Sequence, residues 1–229
     1  MADANSHTYI LASMSPRRRA LLGHLGVPFT VQPAHVDEEG LEAAFTGPTH
    51  ELAVHLARHK AETVAATLPE QTPHPIIIAA DTTVLLDGAI LGKPRDGEEA
   101  RRMLRLLRGR THQVYTGLVV LDVVTHRMPS QSVMTPVTMR AYTDEEIDRY
   151  IATGDPFDKA GSYAIQHPIF QPVAHIGGCA TNVIGLPLCT LAVLLHLVGV
   201  QVALPVAFGQ PCPWDESFSE MMDKSGQTG

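Results

Sequence analysis

Apolar positions along this chain switch between a period of two and a period near four, and the switches mark out its elements. "YILAS" at 9–13 reads as a short apolar strand. It feeds a helix whose start is marked by Ser15-Pro16, because serine suits the residue before a helix and proline its first position. "FTVQPAHVDEE" is a second extended piece that ends in acids. From Thr49 to Leu68, the residues Leu52, Ala53, Leu56, Ala57, Ala61, Val64 and Leu68 recur at helical spacing and predict a long amphipathic helix. "PIIIAADTTVLLDGAILGKP" predicts a buried strand, then a hairpin turning at Asp87-Gly88.

"DGEEARRMLRLLRG" follows as an amphipathic helix with Asp96 as its N-cap and Gly109 past its end. Its arginines 101, 102, 105 and 108 fall opposite Met103, Leu104, Leu106 and Leu107, which makes them a solvated face. The runs 113–124 and 132–141 predict two more strands. "TDEEIDRYIATG" predicts a helix opened by a capping box of Thr143 and Glu146 and stopped by Gly154. The run "VIGLPLCTLAVLLHLVGVQVALPVAF" is broken by Pro187, His196, Gln201 and Pro205, so it predicts a buried helix and then a strand rather than a membrane span. Strands mixed with helices and hairpins imply one α/β domain with a mixed sheet over 8–205. A polar tail rich in Pro, Gly and Ser, 206–229, is expected to be loosely ordered.

Composition narrows the partners. The net charge of -7 argues against a nucleic-acid surface, so any anion site must be local. Cys179, Cys189 and Cys212 form no CxxC pair, which suits a reducing compartment, and "MADANSHT" lacks a basic-then-apolar signal pattern. A cytoplasmic protein with neither membrane nor nucleic acid as partner is the expectation.

Several residues break these patterns. Arg17, Arg18 and Arg19 crowd the positive end of a helix dipole, an unfavourable arrangement unless an anion such as a phosphate sits among them. Lys60 projects into the apolar stripe of the helix 49–68. Either it snorkels to the surface or it reaches an anionic partner, and in the second case a methionine should suit the stripe at least as well. His55 and His59 lie at i,i+4 on the polar face, without the glutamate of an HExxH motif. Asp81 closes the apolar run Ile76–Ala80, where it acts either as a cap or as a metal ligand and base. Lys93 stands in "GKP" outside any P-loop pattern, and Asp158, Lys159 and Gly161 form a polar turn before a short extended run ending at Gln166.

The order of these blocks is distinctive. S-x-S-P-R-R over Ser13–Arg18 is followed by Asp37-Glu38-Glu39, Lys60-Ala61, Asp81-Thr82 and Gly92–Pro94. G-R-x-H-x-V-x-T-G over Gly109–Gly117, D-K-A-G-x-Y-x-x-Q over Asp158–Gln166 and N-V-x-G-L-P over Asn182–Pro187 complete the series. Colinear from residue 9 to about 198, they resemble the Maf-type nucleoside triphosphate pyrophosphatases, the septum formation protein family. The resemblance implies an α/β fold with a bent mixed sheet flanked by helices, two lobes around a cleft, and an assembly often seen as a homodimer. It implies hydrolysis of a nucleoside triphosphate to the monophosphate and pyrophosphate, assisted by magnesium or manganese. Carried over residue by residue, Asp81, Glu38, Lys60 and Lys93 are catalytic, and Glu38 and Asp81 hold the metal. Ser13, Ser15, Arg17, Arg18, Thr82 and Gln166 bind substrate.

Arg17, Thr82 and Gln166 match the subfamily acting on dTTP and UTP. After Gln166 the glycine-rich continuation usual in the family is replaced by "HPIFQPVAHIGGCATN", whose Pro168 and Pro172 bear on the base pocket. Two alternatives stand beside this reading: a pyrophosphatase of the same fold for another nucleotide such as a methylated GTP, and a nucleotide-binding regulator of septum formation with little turnover.

Overall fold

The computed structural model describes residues 7–202. Strands Thr8–Leu11 (β1), Phe29–Val31 (β2), Pro75–Leu86 (β3), Ala89–Leu91 (β4), Thr111–Asp122 (β5), Ser130–Met139 (β6) and Val173–Ile176 (β7) form one mixed sheet. Its order is β2-β1-β3-β5-β6-β7, with β4 paired to β3. The helices are Pro16–Gly23 (α1), Glu38–Ala44 (α2), Leu52–Ala65 (α3), Gly97–Leu107 (α4), Asp144–Ala152 (α5), Ala180–Ile184 (α6) and Leu188–Leu197 (α7). No helix among the described residues is long and apolar enough to cross a membrane. The expected tail, 206–229, lies outside the described residues.

The chain divides into two compact units. Among the described residues, the first holds 7–81, Thr116–Val133 and 185–202; the second holds Thr82–Tyr115 and Met134–Ile184. In the first unit β1 runs parallel to both β2 and β3, with Leu11 opposite Val31 on one side and Ile78 on the other. Alternation along the strands then fixes what faces α3. Ile10 and Ala12 on the β1 side, Ile77 and Ala79 of β3, and Val119 and Leu121 of β5 pack with Ala57, Ala61 and Val64 of α3. Two further residues share that parity: Asp81, two beyond Ala79, and Gly117, two before Val119. Gly117 lies directly under α3, where an added methyl group would overlap the Ala53–Val54 peptide.

The second unit builds its own core from Leu104, Leu107, Val114, Val137, Tyr142, Ile147, Tyr150, Tyr163 and Phe170, among others. The β3–β4 hairpin turns at Asp87 (φ 51°) and Gly88 (φ 80°), both left-handed as a tight type I′ turn requires. Asp96 caps α4, accepting from the Glu99 N–H at 2.8 Å, and the full capping box of Thr143 and Glu146 opens α5. The arginine face of α4 is not merely solvated. Arg101 pairs with Asp148, and Arg105 and Arg108 with Asp144, which ties α4 to α5.

His112 in this core, 2% exposed, places Nε2 2.6 Å from the Tyr163 hydroxyl, with the rings edge to face. Among the described residues its Nδ1 has no hydrogen-bond partner, so protonation would bury both a charge and an unanswered N–H. Burial accordingly lowers its pKa from 6.5 to about 4. Between those values the unfolded chain binds the extra proton, so this stability is complete above pH 6.5 and is lost as pH falls toward 4. We expect the unfolding free energy to drop by about 2 kcal/mol from pH 7 to pH 5 on this account. Urea titrations at both pH values should show that slope flattened in His112→Phe; an unchanged slope would assign the titration to another group.

Two elements differ from the sequence expectation. The extended piece ending in acids stops at Val31, and α2 follows once Asp37 caps it by accepting from the Gly40 N–H at 3.0 Å. β7 forms within the stretch after Gln166, pairing antiparallel with β6 across a register shift at Thr138–Met139. The strand expected after α7 runs past Val202 and lies largely outside the described residues; up to there the chain turns at Gly199 with φ 86°.

Candidate active site

Parallel pairing in the first unit ends at Leu11 opposite Ile78, and there β1 turns aside into α1 while β3 runs on toward Asp81. The turn is held by its own hydroxyls. Ser15 caps α1, its Oγ accepting from the Arg18 N–H at 3.4 Å. Ser13 Oγ accepts from the Ser15 N–H at 3.2 Å and from Arg18 Nη1 at 3.3 Å. Arg18 Nε donates to the Gly185 carbonyl at 2.9 Å, so the guanidinium is held along one edge. Burial lowers the pKa of Arg18, partly opposed by the charges of Asp81 and Glu38, while neighbouring Arg17 adds to the lowering. The first turn of α1 carries no acid. Its positive end, Arg17 and Arg18 thus form a strongly cationic corner, the setting in which an anionic ligand is favoured.

A second charged cluster comes from three other elements of the same unit, two of which carry acids. Asp81 is 9% exposed and lies inside the twelve-residue β3, not at the end of a strand as the sequence implied. A second apolar run after Thr82 prolongs the strand beyond it. A mid-strand position removes the reading of Asp81 as a turn or helix cap. Lys60 is 6% exposed among the apolar residues of α3, and its Nζ donates to Asp81 Oδ1 at 2.6 Å and contacts Glu38 Oε1 at 2.6 Å. The snorkelling alternative is therefore excluded, because this ammonium turns inward onto two carboxylates. Glu38, the first residue of α2, is the accessible member, with its side chain 41% exposed.

One acid escaped the sequence reading. Glu42 lies one turn along α2 from Glu38. Burial raises its pKa, and the charges of Asp81, Glu39 and Glu38 push in the same direction. Its signal is i,i+4 spacing from Glu38, legible only once α2 is known to be a helix.

The carboxylates of Glu38 and Asp81 meet at one point, presently filled by the Lys60 ammonium. Two hard anionic oxygens facing a single cation position are the donor type that magnesium or manganese takes, keeping its remaining positions for water and phosphate. His55 and His59 have turned to other partners: their rings meet edge to face at 4.6 Å, and Phe45 lies 4.9 Å from His55. Among the described residues no three His, Cys, Asp or Glu side chains converge as a metal group.

The structure thus brings together Ser13, Ser15 and Arg18, with Arg17 beside them, and separately joins Lys60 with Glu38 and Asp81. Thr82, Lys93 and Gln166 belong to the second unit. Thr82 follows Asp81 directly, so strand alternation directs its side chain to the other face of the sheet. Lys93 is exposed in the turn after β4, where the Gly161 N–H donates to the Gly92 carbonyl at 3.1 Å. That bond joins the "GKP" turn to the segment leading to Gln166, which is half-buried.

An α/β sheet that carries a cationic helix start and a carboxylate pair bridged by lysine in one unit defines a protein equipped to handle phosphates. The chain belongs to the Maf-like protein family, whose model matches residues 8–198. It is 48% identical over 198 residues to a dTTP/UTP pyrophosphatase of Thermomicrobium roseum, covering 86% of this chain and 87% of the relative. A dTTP/UTP pyrophosphatase of Pelotomaculum thermopropionicum is 44% identical over 84% of this chain and 97% of its own. One of Anaeromyxobacter dehalogenans is 42% identical over 90% and 97%.

Proposed function

We propose that the protein hydrolyses dTTP and UTP to the nucleoside monophosphate and pyrophosphate. The observation that carries this is the buried Lys60 held between Asp81 and Glu38, in the same unit as Arg17 and Arg18 at the start of α1. A core with no catalytic task gains little from a lysine there, whereas a triphosphate needs a base, a cation site and matching positive charge. Relatives that are 42–48% identical to this chain over the aligned residues and bear that activity in their names support the reading.

Each residue then has a task. Arg17 and Arg18 receive the phosphate chain, with Ser13 and Ser15 shaping the turn that presents them. Asp81 takes a proton from a water whose oxygen bonds to the α-phosphorus as the bond to the pyrophosphate oxygen breaks. Lys60 and Lys93 stabilise negative charge growing on the departing pyrophosphate. A magnesium or manganese ion held by Glu38 and Asp81 would supply the charge neutralisation that lets a triphosphate approach two carboxylates. Thr82 and Gln166 read the base. Uracil and thymine present an N3–H donor between two carbonyl acceptors, and a glutamine amide can accept from the one and donate to the other. Cytosine lacks the N3–H, so the glutamine oxygen would stay unanswered at a cost of about 1–3 kcal/mol.

Residues 8–205 act here as a single domain, a reading supported by a family match that spans 8–198. The enzyme works on free nucleotides in the cytoplasm as a homodimer, without nucleic acid. Pyrophosphate and phosphate release measured with magnesium across dTTP, UTP, CTP and a methylated GTP tests the proposal. Pyrophosphate is the expected product, with dTTP and UTP highest in kcat/KM. CTP or the methylated GTP on top would overturn the base assignment, and negligible turnover of all four would favour the regulator.

A further inference from the structure

The stretch after Gln166 is gripped rather than loose, and one side chain does most of the gripping. Tyr150 of α5 is 2% exposed. Its hydroxyl accepts from the Ala164 N–H at 3.1 Å and donates to Asp155 Oδ2 at 2.6 Å. Its ring stacks on Phe170 at 4.4 Å and meets His167 edge to face at 4.8 Å. A single tyrosine therefore holds both ends of the segment 164–170, and Gln166 lies between them.

Neighbouring groups stiffen each hold. Asp155 is locked by Lys159, which is 7% exposed and donates to Asp155 Oδ1 at 2.8 Å. Just upstream, the Tyr163 hydroxyl is bound to His112. At the far end the Phe170 N–H donates to His167 Nδ1 at 3.0 Å, and the Arg140 guanidinium donates to the Phe170 and Gln171 carbonyls. His167 and Phe170, the two rings that Tyr150 engages, both come from the "HPIF" that directly follows Gln166.

We propose that Tyr150 is a positioning residue for base selection, fixing the segment 164–170 at both ends and so setting where the Gln166 amide lies. This rests on the reading of Gln166 as the residue that recognises the base. Tyr150 touches no substrate. Its effect passes through the backbone: freeing the Ala164 N–H lets the chain beside Gln166 shift, and a glutamine hydrogen bond weakens steeply with misalignment.

Tyr150→Phe keeps the ring stack and removes only the hydroxyl. We expect the ratio of kcat/KM for dTTP over CTP to fall roughly tenfold, mainly through a higher KM for dTTP, the scale of one lost hydrogen bond. Arg140→Met acts at the other end from the protein surface and should lower the same ratio by a smaller factor, with Arg140→Lys restoring part of it. If Tyr150→Phe fails to fold, the Arg140 pair carries the test. Gln166→Ala separates the two levels. A ratio that collapses in Gln166→Ala yet is unchanged in the folded positioning variants overturns this inference alone. A ratio unmoved by Gln166→Ala overturns the base-reading role of Gln166, and this inference with it.

Discussion

Asp81→Asn is expected to lower dTTP and UTP turnover by about 10²–10⁴-fold, the usual loss at a general acid–base residue. The amide keeps the shape of the side chain inside β3, so the strand and its neighbours have no steric reason to move. Lys60 retains Glu38 as an anionic partner at 2.6 Å. What disappears is the proton acceptor and half of the negative charge at the cation position. Turnover measured alongside the thermal melt decides the matter. A well-folded Asp81→Asn protein with near-normal kcat would confine Asp81 to holding the lysine in place.

The second large effect is expected at Lys60, and here the structure reverses the sign given by the pattern alone. Within the apolar stripe of α3, methionine looks the better fit. Yet Lys60→Met would leave Asp81, whose side chain is only 13% exposed, facing Glu38 with no cation between them. Removing one partner of a buried pair costs up to about 3–5 kcal/mol, and the partial exposure of Glu38 brings this toward about 3 kcal/mol. The single variant should therefore melt lower as well as lose activity, and adding Asp81→Asn should restore most of the lost stability. If the double variant is no more stable than Lys60→Met, the ion pair is not what the lysine contributes to the fold.

The elements with strong local signals were legible in advance. The stripe of α3, the Asp87-Gly88 hairpin, the Asp96 cap and the Thr143–Glu146 box each rest on contacts within a few residues, so the sequence carries them directly. α2 and β7 were not, for opposite reasons. α2 has seven residues and no buried one, so it has no apolar stripe to read. β7 exists because β6 offers it an edge, a partner some forty residues away. At the site, Lys60 and Asp81 stood out as charges in apolar surroundings, and strand parity with Ala79 explains why they meet. The strapping of Arg18 by the Gly185 carbonyl was invisible, since 167 residues separate the two groups. Glu42 was hidden behind the missing helix. The stretch after Gln166 was read through its prolines, whereas its rings are what anchor it.

The bare backbone of Gly117 under Ala53 and Val54 has a mechanical meaning. Elsewhere helix and sheet are separated by a layer of side chains, and a changed methyl group alters the thickness of that layer. At Gly117 the layer is missing, so helix and strand touch peptide to peptide and the spacing is set by atoms that every amino acid shares. Lys60 stands about two turns further along the same rigid helix. Its height above Asp81 is thereby measured from a fixed stop rather than from a compressible cushion. Drift among Ala57, Ala61, Val64 and their neighbours can then loosen the core without moving the ammonium off the carboxylates, which lets the rest of the core vary while the chemistry stays in register.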